Sequence, residues 1–246
     1  MQTAIALVVA WAVCPGLQAM TANQQFVGRA YGETGELLYE EHHLLEGRCE
    51  SGQWTPDRHT VRYLAPDGQA PFATKTLHYS RSLLRPEVDF HQPRWNERLL
   101  IGYDSDDNAT ITWRKGDHQK EQANFPPTAD LVFDAGFDHL VRQSWDRLRR
   151  GQPVMFRFLA PTRGRSYDFL LEADQPTTDD GGMEVVIRPE GWVTRLLVAP
   201  IELRYDQRGF LVRFDGLTNI RQTAEANFNA SIRYQLQQIP NCPLLR

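Results

Sequence analysis

The densest group of side chains that could do acid–base or metal chemistry is the run Glu40-Glu41-His42-His43. Imidazole and carboxylate groups bind zinc and serve as the acids and bases of hydrolases. Neighbouring side chains of a β-strand point to opposite faces, so Glu41 and His43 share one face while Glu40 and His42 share the other. Each face then holds two candidate groups, and no third ligand is identifiable elsewhere. This pattern favours a polar strand end, with a hydrolase site at Glu41 and His43 as the alternative.

A second acidic run, from Asp104 to Asn108, has oxygen-bearing side chains at the first, third and fifth positions of a calcium-loop pattern. Ala109 stands where the sharp turn of such a loop needs glycine, and Lys115 stands where a bidentate glutamate should complete the shell. The run is therefore interpreted as a hairpin turn, in which Asp and Asn are favoured residues.

The sequence contains no Gly-x-Ser-x-Gly elbow, no His-Glu-x-x-His motif and no phosphate-binding glycine loop. It therefore predicts no catalytic residue, no metal site and no cofactor. The formal net charge is −4, and basic and acidic residues are interspersed along the chain. Such a balance excludes nucleic acid as a predicted partner.

An apolar run from Ala4 to Val13 is followed by the small-residue stretch that ends at Ala19, ahead of the first charged residue, Arg29. This arrangement predicts a signal peptide over residues 1–19, with cleavage after Ala22 as an alternative. The run is about ten residues long, roughly half of what a membrane-spanning helix needs. We therefore expect a periplasmic or secreted protein with no transmembrane span in the mature chain.

Cleavage after Ala19 removes Cys14 and leaves two cysteines, Cys49 and Cys242. The compartment that a signal peptide implies permits disulfides. We therefore predict that Cys49 and Cys242 are joined, and two unrelated thiols are the alternative.

The elements that must position these residues are mostly short strands. Apolar residues alternate with polar ones, as in Leu99–Tyr103 and Ile201–Tyr205, and turn sequences such as Pro66-Asp67-Gly68 separate the alternating segments. This period predicts about ten strands, enough for the sheet to curl or close. The predicted fold is mainly β, a curved or closed antiparallel sheet in a single domain over residues 25–246.

One segment departs from the period of two. Apolar residues recur every three or four positions from Phe137 to Leu148, which predicts one amphipathic helix over about residues 134–150. Asp134 is the expected N-cap and Gly151 the expected left-handed C-cap. The stretch before the helix, from Lys115 to Asp130, is expected to be an extended surface connector.

Three stretches resemble those of uncharacterised exported bacterial β-rich proteins: Gly35–Tyr39, Gly136–Asp138, and Ile201–Tyr205 continuing to Phe214-Asp215-Gly216. The resemblance implies bacterial export and a curved sheet, and it includes no catalytic motif. Periplasmic lipid carriers also combine a curved sheet with a helix, which is an analogy of fold.

The prediction for function is a non-catalytic bacterial envelope protein that binds an apolar ligand, a lipid or a partner chain inside or along its sheet. A periplasmic hydrolase with an unrecognised His and carboxylate site is one alternative. A structural interaction module of an envelope assembly is the other. The oligomeric state stays open.

Overall fold

The computed structural model describes residues 21–116, 118–126, 128–190 and 199–245. The predicted signal peptide lies outside these residues. The described strands are β1 (Thr21–Tyr31), β2 (Leu37–Glu50), β3 (Gln53–Leu64), β4 (Ala73–His78), β5 (Glu87–Gln92), β6 (Glu97–Tyr103), β7 (Ala109–Lys115), β8 (His118–Phe125), β9 (Leu131–Val132), β10 (Val154–Ala160), β11 (Arg165–Gln175), β12 (Met183–Pro189), β13 (Ile201–Tyr205), β14 (Leu211–Arg221) and β15 (Asn227–Gln238).

All fifteen strands belong to one sheet, in the order β8 to β1 followed by β15 back to β9. Strands that follow each other along the chain therefore lie side by side, and β1 pairs with β15 near the middle of the sheet. Every pairing is antiparallel except the short contact between β9 and β10. The two sheet edges are β8 and β9, which the chain visits one after the other.

The prediction of a mainly β fold is confirmed, while its count of about ten strands is too low. The sheet is also open, because β8 and β9 do not pair with each other among the described residues. One of the additional strands, β8, lies inside the stretch from Lys115 to Asp130 that the sequence predicted to be an extended connector.

The single predicted helix is divided into α1 (Gly136–Gln143) and α2 (Trp145–Arg149), with Ser144 between them. Asp134 is not the N-cap, which corrects the prediction from sequence. Its carboxylate instead pairs with Lys75 of β4, at 2.8 Å, and α1 begins without a side-chain cap. Gly151 adopts the left-handed conformation after α2, at φ +70°.

The inward faces of both halves of the sheet pack against each other and against the helices. Since each strand has one apolar face, bending the sheet buries these faces in a shared interior. The side chains with no exposed surface form part of one continuous cluster and come from strands all around the sheet: Ala30, Tyr39, Leu77, Val132, Phe133, Val141, Leu148, Leu171, Met183, Tyr205 and Ile220. The concave side is thus filled by the chain itself.

Polar contacts also join the two halves across this interior. The Arg221 guanidinium on β14 lies 2.7 Å from the Glu97 carboxylate on β6, and the Gln92 amide donates to the carbonyl of Asn219. These contacts connect strands that are far apart in the order of the sheet. They hold the curved sheet in its folded-over shape.

A smaller apolar cluster of Leu45, Trp54, Phe210 and Leu244 lies at one end of the sheet. The segment after β15 crosses this end, where the amide of Trp54 donates to the carbonyl of Pro243 at 2.9 Å. Cys49 and Cys242 form a disulfide beside it, with their Cα atoms 6.0 Å apart. In the described part of the chain, no helix has the length and apolar character needed to cross a bilayer.

Candidate functional site

The two faces of β2 separate the Glu-Glu-His-His run as its alternation requires. Glu41 and His43 point inward, and their side chains are each 8% exposed. Glu40 and His42 point outward, where their side chains are 25% and 44% exposed. Glu41 and His43 therefore lie in the packed interior of the sheet, whereas Glu40 and His42 lie on its outer surface.

Tertiary structure adds two further groups to the inward pair. The His43 ring lies between Glu41 and His59 of β3, with Nε2 3.0 Å from the Glu41 carboxylate and Nδ1 2.9 Å from His59 Nε2. The Tyr234 hydroxyl on β15 donates to the same carboxylate at 3.2 Å. Glu41, His43, His59 and Tyr234 are called the histidine cluster below.

The proton positions in the histidine cluster follow from these contacts. An ionised carboxylate only accepts hydrogen bonds, so His43 donates to Glu41 through Nε2. Its Nδ1 then accepts from Nε2 of His59. In this arrangement each of these two facing pairs of atoms contains one donor and one acceptor.

Burial sets the charge state of the innermost groups. Desolvation lowers the pKa of His59 well below its ordinary value, and the nearby His43 and Lys75 act in the same direction. Desolvation likewise raises the pKa of the Tyr234 hydroxyl, with Glu41 adding to the effect. Because charged forms are costly in a dry interior, both groups are held neutral at neutral pH.

Aromatic rings cover the histidine cluster. Phe26 stacks on His43 with ring centres 4.2 Å apart, and its other neighbours include Phe210, at 5.2 Å. Phe210 belongs to the small apolar cluster beneath the C-terminal segment. The Phe26 ring covers one face of His43, and the side chains of Glu41 and His43 are each only 8% exposed.

The structure also tests the other ligand patterns. The Asp104 carboxylate accepts hydrogen bonds from the amides of Asp106 and Asn108, each at 2.9 Å, which is the local bonding of a turn. Over the described residues, no group of three or more His, Cys, Asp or Glu side chains is placed to hold a metal ion.

A second buried polar group anchors the start of α1. Lys75 is 5% exposed and contacts both oxygens of Asp134, to which the Asn219 amide also donates at 3.3 Å. Inside α1, burial raises the pKa of Asp138, while Arg142 beside it acts in the opposite direction. The only sequence signal for this group is Lys75, which occupies an inward position in the alternating strand β4.

Two hollows lie on the outer face of the sheet. One of about 150 Å³ is lined by Arg98, Leu100, Thr112 and Arg114, and one of about 350 Å³ extends from it across β4 to β7. Both belong to the surface opposite the core. The fold therefore defines the class of molecule, which is an open, folded-over β-sheet protein with a packed interior.

No family model matches the chain, and no curated protein matches it. Among solved structures it is similar to a β-barrel-like protein of the domain of unknown function DUF1849 from Brucella abortus, with 10% sequence identity and a TM-score of 0.38. The match covers 89% of this chain and 95% of that chain.

Proposed function

We propose that this chain is an exported, non-catalytic envelope protein that binds another envelope component along the outside of its sheet. The observation that carries the proposal is the filled concave side. Side chains from β2, β4, β11, β12, β13 and β14, together with both helices, occupy the interior with no exposed surface. The outer face and the edges are what the fold offers to a ligand or partner.

Export and a single folded unit are parts of the same proposal. Export is supported by the Cys49–Cys242 disulfide, because such bonds persist in oxidising compartments. The single unit over residues 25–246 is supported by the sheet, in which the first and last strands pair with each other.

The two alternatives receive different support. The hydrolase alternative is supported by the contacts that place His43 between Glu41 and His59. Against it, Phe26 stacks on His43, and the side chains of Glu41 and His43 are each only 8% exposed. The interaction-module alternative is compatible with the outer surface and differs from the main proposal in the kind of partner. An apolar ligand inside the sheet is disfavoured, because native interiors are close-packed and hold few voids larger than a water molecule.

Native mass spectrometry tests whether the interior holds a ligand. Protein exported by a bacterial host and protein refolded from denaturant in the absence of lipid are compared. Both samples are expected to give the mass of the polypeptide alone. A ligand bound one to one in the exported sample and absent from the refolded one would contradict the proposal.

Photo-crosslinking in cells tests the outer surface. A crosslinking amino acid replaces Leu217, which is 56% exposed on the outer face of β14. The same amino acid at Glu33, in the exposed turn between β1 and β2, serves as the control. A product that forms at position 217 and not at position 33 is expected. Equal labelling at the two positions, or none, would argue against binding at this surface.

A further inference from the structure

The outer face contains a row of charged side chains that lie directly opposite one another on six neighbouring strands. The register from β12 to β2 runs through Glu184, Arg204, Arg213, Arg233, Arg29 and Glu40. Four arginines therefore stand side by side in the centre of the sheet, and a glutamate stands at each end. The four arginines are called the arginine row.

Placing like charges directly opposite each other on adjacent strands costs stability. The chain offsets part of this cost with carboxylates around the row. Arg29 pairs with Glu40 at 2.9 Å, and Arg213 pairs with Asp215 at 2.7 Å. Arg204 lies 3.1 Å from Asp180 and 3.6 Å from Glu184. These contacts hold three of the guanidinium groups in place on the sheet.

Arg233 differs from the other three. Among the described residues it has no carboxylate within ion-pair distance, and its guanidinium lies over the ring of Tyr31, 5.4 Å from the ring centre. It is exposed, and both of its direct neighbours in the register, Arg29 and Arg213, are also cationic. Arg233 is thus the member of the row whose charge no carboxylate of the described residues offsets, on a protein whose formal net charge is −4.

We propose that the arginine row is the surface that binds the phosphate groups of an anionic lipid membrane. Guanidinium groups donate two parallel hydrogen bonds to phosphate oxygens, which makes arginine well suited to this chemistry. Neighbouring strands are about 4.8 Å apart, so the row extends for about 14 Å across the sheet. A line of this length matches a plane of several anionic groups better than one small anion.

Two less polar side chains on the same face favour a membrane over another polyanion. Tyr31 lies under Arg233, and Leu217 is 56% exposed two positions beyond Asp215 on β14. Tyrosine and leucine side chains enter the interfacial layer of a bilayer, whereas a polysaccharide or a nucleic acid gains little from an exposed leucine. This inference rests on the proposed function, since it names the envelope component that the outer face binds.

Co-sedimentation with vesicles tests the proposal. Vesicles of phosphatidylglycerol mixed with phosphatidylcholine are compared with vesicles of phosphatidylcholine alone, which the protein is expected not to bind. Each arginine near an anionic surface contributes about 1 kcal/mol, so Arg233→Gln should weaken binding about fivefold and the double variant R213Q/R233Q about 25-fold. Raising the salt concentration should weaken binding of the wild type.

Arg98→Gln is the matched control, because Arg98 is an exposed arginine on the outer face of β6 that pairs with Asp89. It should leave vesicle binding unchanged, and circular dichroism should show that all variants are folded. The proposal is overturned if the wild type does not bind the anionic vesicles, or if R98Q weakens binding as much as R233Q. Binding of an acidic polysaccharide or peptide in place of the vesicles would also overturn it. The proposed function fails if native mass spectrometry finds a ligand inside the sheet, whereas the vesicle experiment tests only the arginine row. The two failures can therefore be told apart.

Discussion

At the scale of single residues, the interior is notable for the ionisable groups that it contains. Glu41, His59, Lys75 and His139 are each less than 9% exposed, although they lie among aromatic and aliphatic side chains. Lys75 and Glu41 have partners of opposite charge or hydrogen-bond donors. The two histidines have no carboxylate within ion-pair distance in the described part of the chain, and they avoid the cost of charge by remaining neutral.

Acidification should therefore destabilise the folded chain. The pKa values of His59 and His139 lie well below the 6.5 of an ordinary histidine, chiefly because both rings are buried. Below pH 6.5 the unfolded chain binds protons at these positions before the folded chain does. The free energy of unfolding should then fall by up to about 1.4 kcal/mol per pH unit for each histidine, until the pH reaches the folded-state pKa values.

Urea unfolding at a series of pH values between 7.5 and 5 measures this dependence. His59→Gln removes one of the two groups and should make the dependence shallower. His42→Gln is the control, because His42 points outward from the neighbouring strand β2 and is exposed. If H59Q and the wild type lose stability equally over this range, the buried neutral histidine is not the cause.

At the scale of elements, the start of α1 is positioned by close packing between its backbone and the backbone near Leu84. α1 begins at Gly136, where an added Cβ would lie 2.1 Å from the carbonyl oxygen of Leu84. The same carbonyl accepts a hydrogen bond from the amide of Phe133 at 2.9 Å. Gly136 therefore allows the start of the helix to pack directly against the backbone between β4 and β5.

Gly136→Ala should force these two backbone segments apart and lower the free energy of unfolding by about 1–3 kcal/mol. Gly102→Ala is the matched control in β6, where the added Cβ would lie 3.7 Å from the Thr110 hydroxyl. That variant should change stability by less than about 0.5 kcal/mol. Thermal and urea unfolding measure both changes. Equal stability of the two variants would mean that the backbone near Leu84 adjusts freely.

Elements were predictable from sequence where apolar periodicity is strong. The alternation of β6 and β13 and the helical period from Phe137 to Leu148 all correspond to elements of the structure. β8 was missed because its sequence, HQKEQANF, shows little alternation of apolar and polar residues. The strand is defined by its antiparallel backbone pairing with β7, which the sequence alone does not reveal. The break at Ser144 was missed because an amphipathic period continues across it.

At the scale of the whole molecule, the first and last of the described strands are joined in the middle of the sheet. β1 pairs with β15, and the Cys49–Cys242 bond links positions 193 residues apart beside them. The C-terminal segment is further attached through Gln53, whose amide donates to the carbonyl of Leu244 at 3.0 Å. The bond thus closes a long loop in the unfolded chain, between positions 193 residues apart.

The double variant C49S/C242S should therefore lower the free energy of unfolding by about 2–5 kcal/mol, as removal of a disulfide that closes a long loop does. Urea unfolding without reductant measures the loss. Adding reductant should bring the wild type to the stability of the variant and leave the variant unchanged. A loss below about 1 kcal/mol would show that the unfolded chain is restrained by other means.

The sequence by itself determined that the fold is mainly β, because the alternation of apolar and polar side chains is a local property of each strand. The two cysteines left after Cys14 could likewise be counted directly. The sequence also separated Glu41 and His43 from Glu40 and His42, since the faces of a strand follow from backbone geometry alone. Only the tertiary structure decided that His59 and Tyr234 join the inward pair, and that four arginines share one row. Both outcomes depend on the register between strands and on how far the sheet folds over, which are set by packing between residues far apart in the chain.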